Sequence, residues 1–204
     1  MVQPLNRLKE SASQTAGPYV HIGLTPNFAD IAGVYPHDLG VNMVNDNTRG
    51  ERITIVGHVL DGTGTPLKDA LVEIWQADAD GLYNSPWEIR GSGDPNFSGW
   101  GRCATGTETG EFRFETIKPG RVPFNDGRMM APHVTFWIVA RGINVGLHTR
   151  MYFSDEAAAN AEDPVLARIE HRVRALTLVA ARTGDVYAFD IHLQGENETV
   201  FFDI

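Results

Sequence analysis

The sequence predicts an all-β domain: an antiparallel β-sandwich with an extended N-terminal arm and one short helical insertion. Three observations predict it. From residue 50 onward, short runs rich in β-branched and aromatic residues recur between turn clusters. The first 49 residues carry no sustained hydrophobic period. Residues 154–174 change to a helical pattern. The expected division is therefore an arm with irregular loops over 1–49 and a sandwich over 50–204.

The arm begins with little hydrophobic period. Ser11, Ser13, Gln14, Thr15, Ala16, Gly17 and Pro18 are small or polar and end in a Gly-Pro step, which describes an extended segment or loop. Pro26, Gly33, Pro36 and Gly40 continue the irregular stretch. Nearly fifty residues of this kind are unusual in a lone compact domain, and such an arm is better accommodated when a partner covers it.

The first strand is Ile53–Leu60, closed by the turn cluster from Asp61 to Pro66. Leu71–Gln76 follows and ends at Asp78-Ala79-Asp80-Gly81. Phe112, Phe114 and Thr116 alternate with Arg113 and Glu115, the period of two expected when one face is buried. Further strands are expected over 133–140, 147–153, 176–182 and 186–194, with Thr183-Gly184-Asp185 as a hairpin turn. In the insertion, Ser154 is a candidate N-cap. Pro164 suits the first turn of a second helix with Val165, Ile169 and Val173 spaced by four.

Composition narrows the function. A net charge of −9 argues against nucleic acid, which draws on basic patches. Arg168, Arg172 and Arg174 come nearest to such a patch, but helical spacing would disperse them over a solvated face. No apolar run approaches the roughly 20 residues needed to cross a bilayer, and the N-terminus lacks the apolar core of a secretory signal. Cys103 is the only cysteine, which excludes internal disulfides, fits a reducing cytoplasm and reads as a structural thiol. No phosphate-binding loop is present, and Gly91-Ser92-Gly93 lacks the strand and helix that a nucleophilic serine requires.

His133-Val134-Thr135 is the informative near miss. Alternate residues on a strand point the same way, so a His-x-His pair supplies two metal donors. This chain has the first and lacks the second.

Leu71 to Tyr83, Asp94 to Arg102, Gly110 to Gly120 and Tyr187 to Gly195 together resemble the intradiol ring-cleaving dioxygenases, in order and with sensible spacing. That family holds a non-haem ferric ion through two tyrosines and two histidines. Tyr83 matches the first tyrosine and His133 the first histidine. Val122 stands where the second tyrosine precedes a proline, Thr135 where the second histidine belongs, and Met130 where an arginine is usual. The resemblance implies a chain that holds no metal, with Tyr83 and His133 left as remnants that support a degenerate pocket by hydrogen bonding.

The N-terminal segment Ser13 to Leu24, with Ala140 to Asn144, Leu147 to Arg150 and Glu198 to Asp203, further resembles the metal-free member of a two-chain enzyme of this family. The resemblance implies a related iron-bearing partner chain in a hetero-oligomer and 3,4-dihydroxybenzoate as substrate at the interface. Thr15, Gly17, Pro18 and Arg141 would line that pocket from this side. Gly17 allows close backbone approach, Pro18 restricts the arm, and a guanidinium suits an aromatic carboxylate. A purely structural assembly role is the competing expectation. A third, independent metal site through Tyr83, His133 and a donor such as His148, is the least favoured.

Overall fold

The computed structural model describes residues 14–203; residues 1–13, the first part of the expected arm, and Ile204 lie outside the described residues. The strands are β1 (Arg52–Leu60), β2 (Leu71–Trp75), β3 (Trp100–Ala104), β4 (Glu111–Ile117), β5 (His133–Val139), β6 (Leu147–Phe153), β7 (Val179–Thr183), β8 (Val186–Ala188) and β9 (Ile191–His192). They form one hydrogen-bonded path, β3-β2-β5-β6-β7-β8-β1-β4, with β9 beside β1. The two ends of the path come back into contact through β3 and β4, so the sheet curls into a nearly closed barrel-like form.

The mostly-β expectation holds, but the pairing is not antiparallel throughout. β1 runs parallel to β8 and β9, and β6 runs parallel to β7. Parallel neighbours need a long crossover connection, and the helical insertion supplies it between β6 and β7. β7 then acts as the joint of the sheet. Val179 and Ala180 pair with β6, whereas Ala181 to Thr183 pair with β8. Thr183 pairs with Val186 across Gly184 and Asp185, the tight hairpin expected there.

The core lies between the two halves of the path. Val134, Phe136 and Ile138 of β5 point inward and meet Phe112 and Phe114 of β4, whose own burial alternates strictly at its start. Phe136 packs 5.8 Å from Phe112 and 5.2 Å from Phe189 between ring centroids. Each such ring contributes about 1.5–3 kcal/mol by burial alone.

Local chemistry overrides several boundaries. Residues 18–24 form a helix, α1, where an extended segment was expected; Pro18 takes its first position, where the missing N–H costs nothing. The run 186–194 breaks after β8 because the Asp190 carboxylate accepts the His58 backbone N–H at 2.9 Å. The run 176–182 opens as a 3-10 turn over Leu176–Leu178 before becoming β7.

Within the insertion, a 3-10 turn over Ser154–Glu156 leads into α2 (Ala157–Glu162), and a second over Leu166–Arg168 precedes α3 (Arg172–Ala175). Ser154 is not the N-cap expected. Its hydroxyl accepts the Arg182 N–H at 3.2 Å instead. Val165, Ile169 and Val173 do not share one helical stripe either, and Val173 is exposed. Asp163 accounts for the break: its carboxylate accepts the N–H groups of Val165 and Leu166, both at 2.8 Å, and starts a fresh turn.

Candidate functional site

β5 places two groups of candidate residues at its opposite ends. His133 opens the strand and Arg141 lies just beyond its last residue, Val139. A strand rise of about 3.3 Å per residue separates them by roughly 25 Å.

At the His133 end, the turn Asp78–Gly81 sets Tyr83. The Asp78 carboxylate accepts the N–H groups of Asp80, Leu82 and Asp94 at 2.8–3.0 Å. Gly81 has φ of +77°, and a Cβ there would lie 2.2 Å from the Arg121 carbonyl oxygen. That close approach brings the turn against the segment carrying Val122. Val122 and Met130 are buried with Ala77 in a small apolar cluster that also involves Tyr83, Phe124 and Val165. Apolar packing thus fills the space beside Tyr83.

His133 is buried, and its Nδ1 makes a 2.8 Å hydrogen bond with the Ala131 carbonyl. A carbonyl only accepts, so Nδ1 carries the proton. Burial, reinforced by the nearby Arg150 charge, pushes the His133 pKa down to about 4. The ring is therefore neutral at physiological pH. The backbone at Ala131 is held by Asp163, whose Oδ2 accepts the Ala131 N–H at 2.8 Å while Oδ1 accepts from the Tyr152 hydroxyl at 3.3 Å. Tyr83 is positioned by stacking on Trp75, with ring centroids 5.9 Å apart and planes 3° from parallel. Burial raises its phenol pKa, partly offset by the Arg150 charge.

Thr135 faces away from the core with Trp75 and Arg150 directly across from it, on β2 and β6 respectively. Arg150 reaches that apolar cluster, where its Nη1 donates to the Met130 sulfur at 3.4 Å. Its guanidinium also lies 6.0 Å from the Phe202 ring centre. Thr135, His148 and Arg150 line a cavity of about 630 Å³, rimmed by Arg168, His171 and Arg174. The short turns of the insertion thus bring Arg168 and Arg174 to one rim, where uniform helical spacing was expected to disperse them. Arg172 turns back instead, donating to the Leu166 carbonyl at 3.2 Å.

His148 does not join His133. It pairs with Trp137, whereas His133 pairs with Tyr152, four strand positions or roughly 13 Å away. Among the described residues, no three His, Cys, Asp or Glu side chains come together as a metal cluster. Desolvation pushes the Cys103 thiol up to about 12, so it stays protonated.

At the other end of β5, Thr15 and Arg141 do come together. The Thr15 hydroxyl accepts the Gly142 N–H at 2.8 Å and donates weakly to the Ala140 carbonyl at 3.4 Å, so it bonds the backbone just before and just after Arg141. The Arg141 Nε pairs with the Asp69 carboxylate, and 73% of the Arg141 side chain remains exposed. α1 is tied to the same loop: His21 Nε2 bonds the Asp69 carbonyl at 2.9 Å, which leaves Nδ1 to accept from the Thr25 hydroxyl at 3.0 Å. Gly17 caps α1 with open space beside its Cα, and Pro18 is exposed.

Sequence reasoning missed Arg150, Asp163 and the His21–Asp69 anchor. Asp163 carried a local signal, an Asp-Pro step opening a helical turn, whereas Arg150 gains its role only through cross-strand register. His21 and Asp69 meet only through the tertiary fold.

A family model described as Dioxygenase matches residues 24–195. The chain is 45% identical to the protocatechuate 3,4-dioxygenase alpha chain of Pseudomonas putida, over 98% of this chain and 99% of that one. It is 37% identical to the protocatechuate 3,4-dioxygenase beta chain of Burkholderia cepacia, covering 84% of this chain and 77% of that one. Among solved structures, the dioxygenase domain of a dioxygenase–carbohydrate-binding fusion from Streptomyces sp. SirexAA-E superposes with a TM-score of 0.52 at 26% identity. That match covers 77% of this chain and 86% of the other.

Proposed function

Because the chain belongs to the intradiol dioxygenase family, we propose that it is the metal-free alpha chain of a heteromeric protocatechuate 3,4-dioxygenase. Its partner is a related beta chain that carries the ferric ion, and a cytoplasmic location belongs to the same reading. The assembled enzyme inserts both atoms of oxygen into 3,4-dihydroxybenzoate and cleaves between the hydroxyls to give 3-carboxy-cis,cis-muconate.

The observation that carries this reading is the donor set at the degenerate pocket. Ferric iron favours several fixed, hard and partly anionic donors. Tyr83 and His133 offer two, Val122 is packed against Ala77 and Met130, and Thr135 contributes a neutral hydroxyl. The Arg150 cation acts on both remaining donors, and its field opposes a trivalent ion at the same place. These residues do not fit a ferric ion.

Pocket completion is assigned to the other end of β5. An exposed ion pair such as Arg141–Asp69 is worth about 0–1 kcal/mol, so the guanidinium transfers to a substrate carboxylate at little cost. Its separation from Tyr83 and His133 supports service to a pocket on a partner chain. Thr15 holds the arm beside it, while Gly17 and Pro18 present an accessible backbone edge. A charged donor of this kind orients the carboxylate and, with the arm, excludes water from the site.

Metal analysis and co-purification test the reading. The chain expressed alone should hold no stoichiometric iron and leave 3,4-dihydroxybenzoate unchanged; co-expressed with an iron-bearing beta chain, it should co-purify as an active heteromer. Iron-dependent turnover by the isolated chain, or failure to associate, overturns it. The competing structural-subunit reading keeps the heteromer and removes Arg141 from the pocket.

A further inference from the structure

We infer that the cavity over Thr135 and Arg150 is a metal-free binding site for a small aromatic carboxylate on this chain itself, separate from the Arg141 end of β5. The volume of about 630 Å³ lies within the range of small-molecule sites. Its charge is the first argument. Arg150 is half-buried, lines the cavity and forms no ion pair with any carboxylate among the described residues; its contacts are the Met130 sulfur, the Tyr152 hydroxyl and the Phe202 ring, all neutral. A guanidinium withdrawn from water without an anion is costly, so such a group is ordinarily compensated. Here the remaining direction is the cavity.

The walls supply the second argument. Phe124 and Phe202 line the space, each with a guanidinium against its ring: Arg168 lies 4.8 Å from the Phe124 centre and Arg150 6.0 Å from that of Phe202. Val165, Ile169 and Val200 add apolar surface between them. Glu170 and Asp203 also line the cavity, and Arg174 pairs with Glu198 at 3.1 Å, so the cation left for a ligand is Arg150 with Arg168 at the rim. A flat ring between apolar walls with one carboxylate on Arg150 satisfies both features. A neutral aromatic leaves the Arg150 charge uncompensated, and an inorganic anion leaves the walls wet.

The test is titration of the full chain with sodium benzoate, followed by calorimetry and by backbone amide chemical shifts, with benzyl alcohol as the neutral probe. Saturable one-to-one binding is expected, with shifts centred on Thr135, Thr149 and Arg150. Arg150→Gln should weaken it at least tenfold, and benzyl alcohol should not saturate. Arg168→Gln, a change at the exposed rim, should weaken binding several-fold and serves if Arg150→Gln fails to fold. Absence of saturation, equal binding of benzyl alcohol, unchanged affinity in the folded variants, or shifts centred on Thr15 and Gly142 overturns the assignment.

Discussion

Thr15 and Gly142 are joined by a 2.8 Å hydrogen bond across 127 positions of sequence, the hydroxyl accepting the backbone N–H. This bond fastens the arm beside Arg141, at the far end of β5 from His133. The residues expected in this chain's own degenerate pocket and those expected to face a partner's pocket therefore lie at opposite ends of β5. Tyr83 and His133 lie within the field of Arg150, while Arg141 and Thr15 form an exposed edge.

Thr15→Ala removes that acceptor. The expected loss is about 1 kcal/mol, confined to local stability, because the Gly142 N–H can turn to water. Amide hydrogen exchange at Gly142 should accelerate roughly fivefold while the global melting temperature barely moves. Unchanged exchange would show that the arm is held by other contacts.

Asp163 carries a heavier structural role. Its fully buried carboxylate accepts from the N–H groups of Ala131, Val165 and Leu166 and from the Tyr152 hydroxyl. Asp163→Ala should cost on the order of 3 kcal/mol by leaving buried donors unpaired. The denaturant midpoint measures this, and Asp163→Asn should recover part of it.

Asp155 gives a pH signature. Burial raises its pKa, but hydrogen bonds from Lys118, Tyr187 and Arg182 outweigh that and hold it well below the usual carboxylate range. A depressed folded pKa contributes stability above the unfolded value of 3.8 and loses it as the pH falls further. With the cluster partly exposed, Asp155→Asn should cost about 1 kcal/mol at pH 7. The gap to wild type should stay flat down to about pH 4 and narrow below it. Urea unfolding across that range checks the sign.

Phe136→Ala tests the core between the two halves of the sheet. The ring is fully buried against Phe112, Phe114 and Phe189, and its loss should cost about 3–5 kcal/mol in equilibrium unfolding.

Much of this architecture was legible wherever one rule acted alone. The alternation of Phe112, Phe114 and Thr116 gave β4, and Thr183-Gly184-Asp185 gave the β7–β8 hairpin, because period and turn chemistry are local. The parallel β6–β7 and β1–β8 pairings were not legible, since partner choice depends on how the sheet closes. The helical insertion was recognised by composition, yet Asp163 divided it and Ser154 went to Arg182 instead of a cap. At the site, Val122 and Thr135 were named as missing donors through the family resemblance. Arg150 was not legible, because its role arises from cross-strand register with Thr135 and packing against Phe202.

The most direct test of the central claim is steady-state turnover of 3,4-dihydroxybenzoate by the intact heteromer carrying Arg141→Ala. A charge-assisted hydrogen bond to the substrate carboxylate is worth about 1.5–3 kcal/mol, so KM should rise roughly tenfold or more with iron content and assembly unchanged. KM and kcat equal to those of the wild-type heteromer would contradict the account and leave this chain a structural subunit.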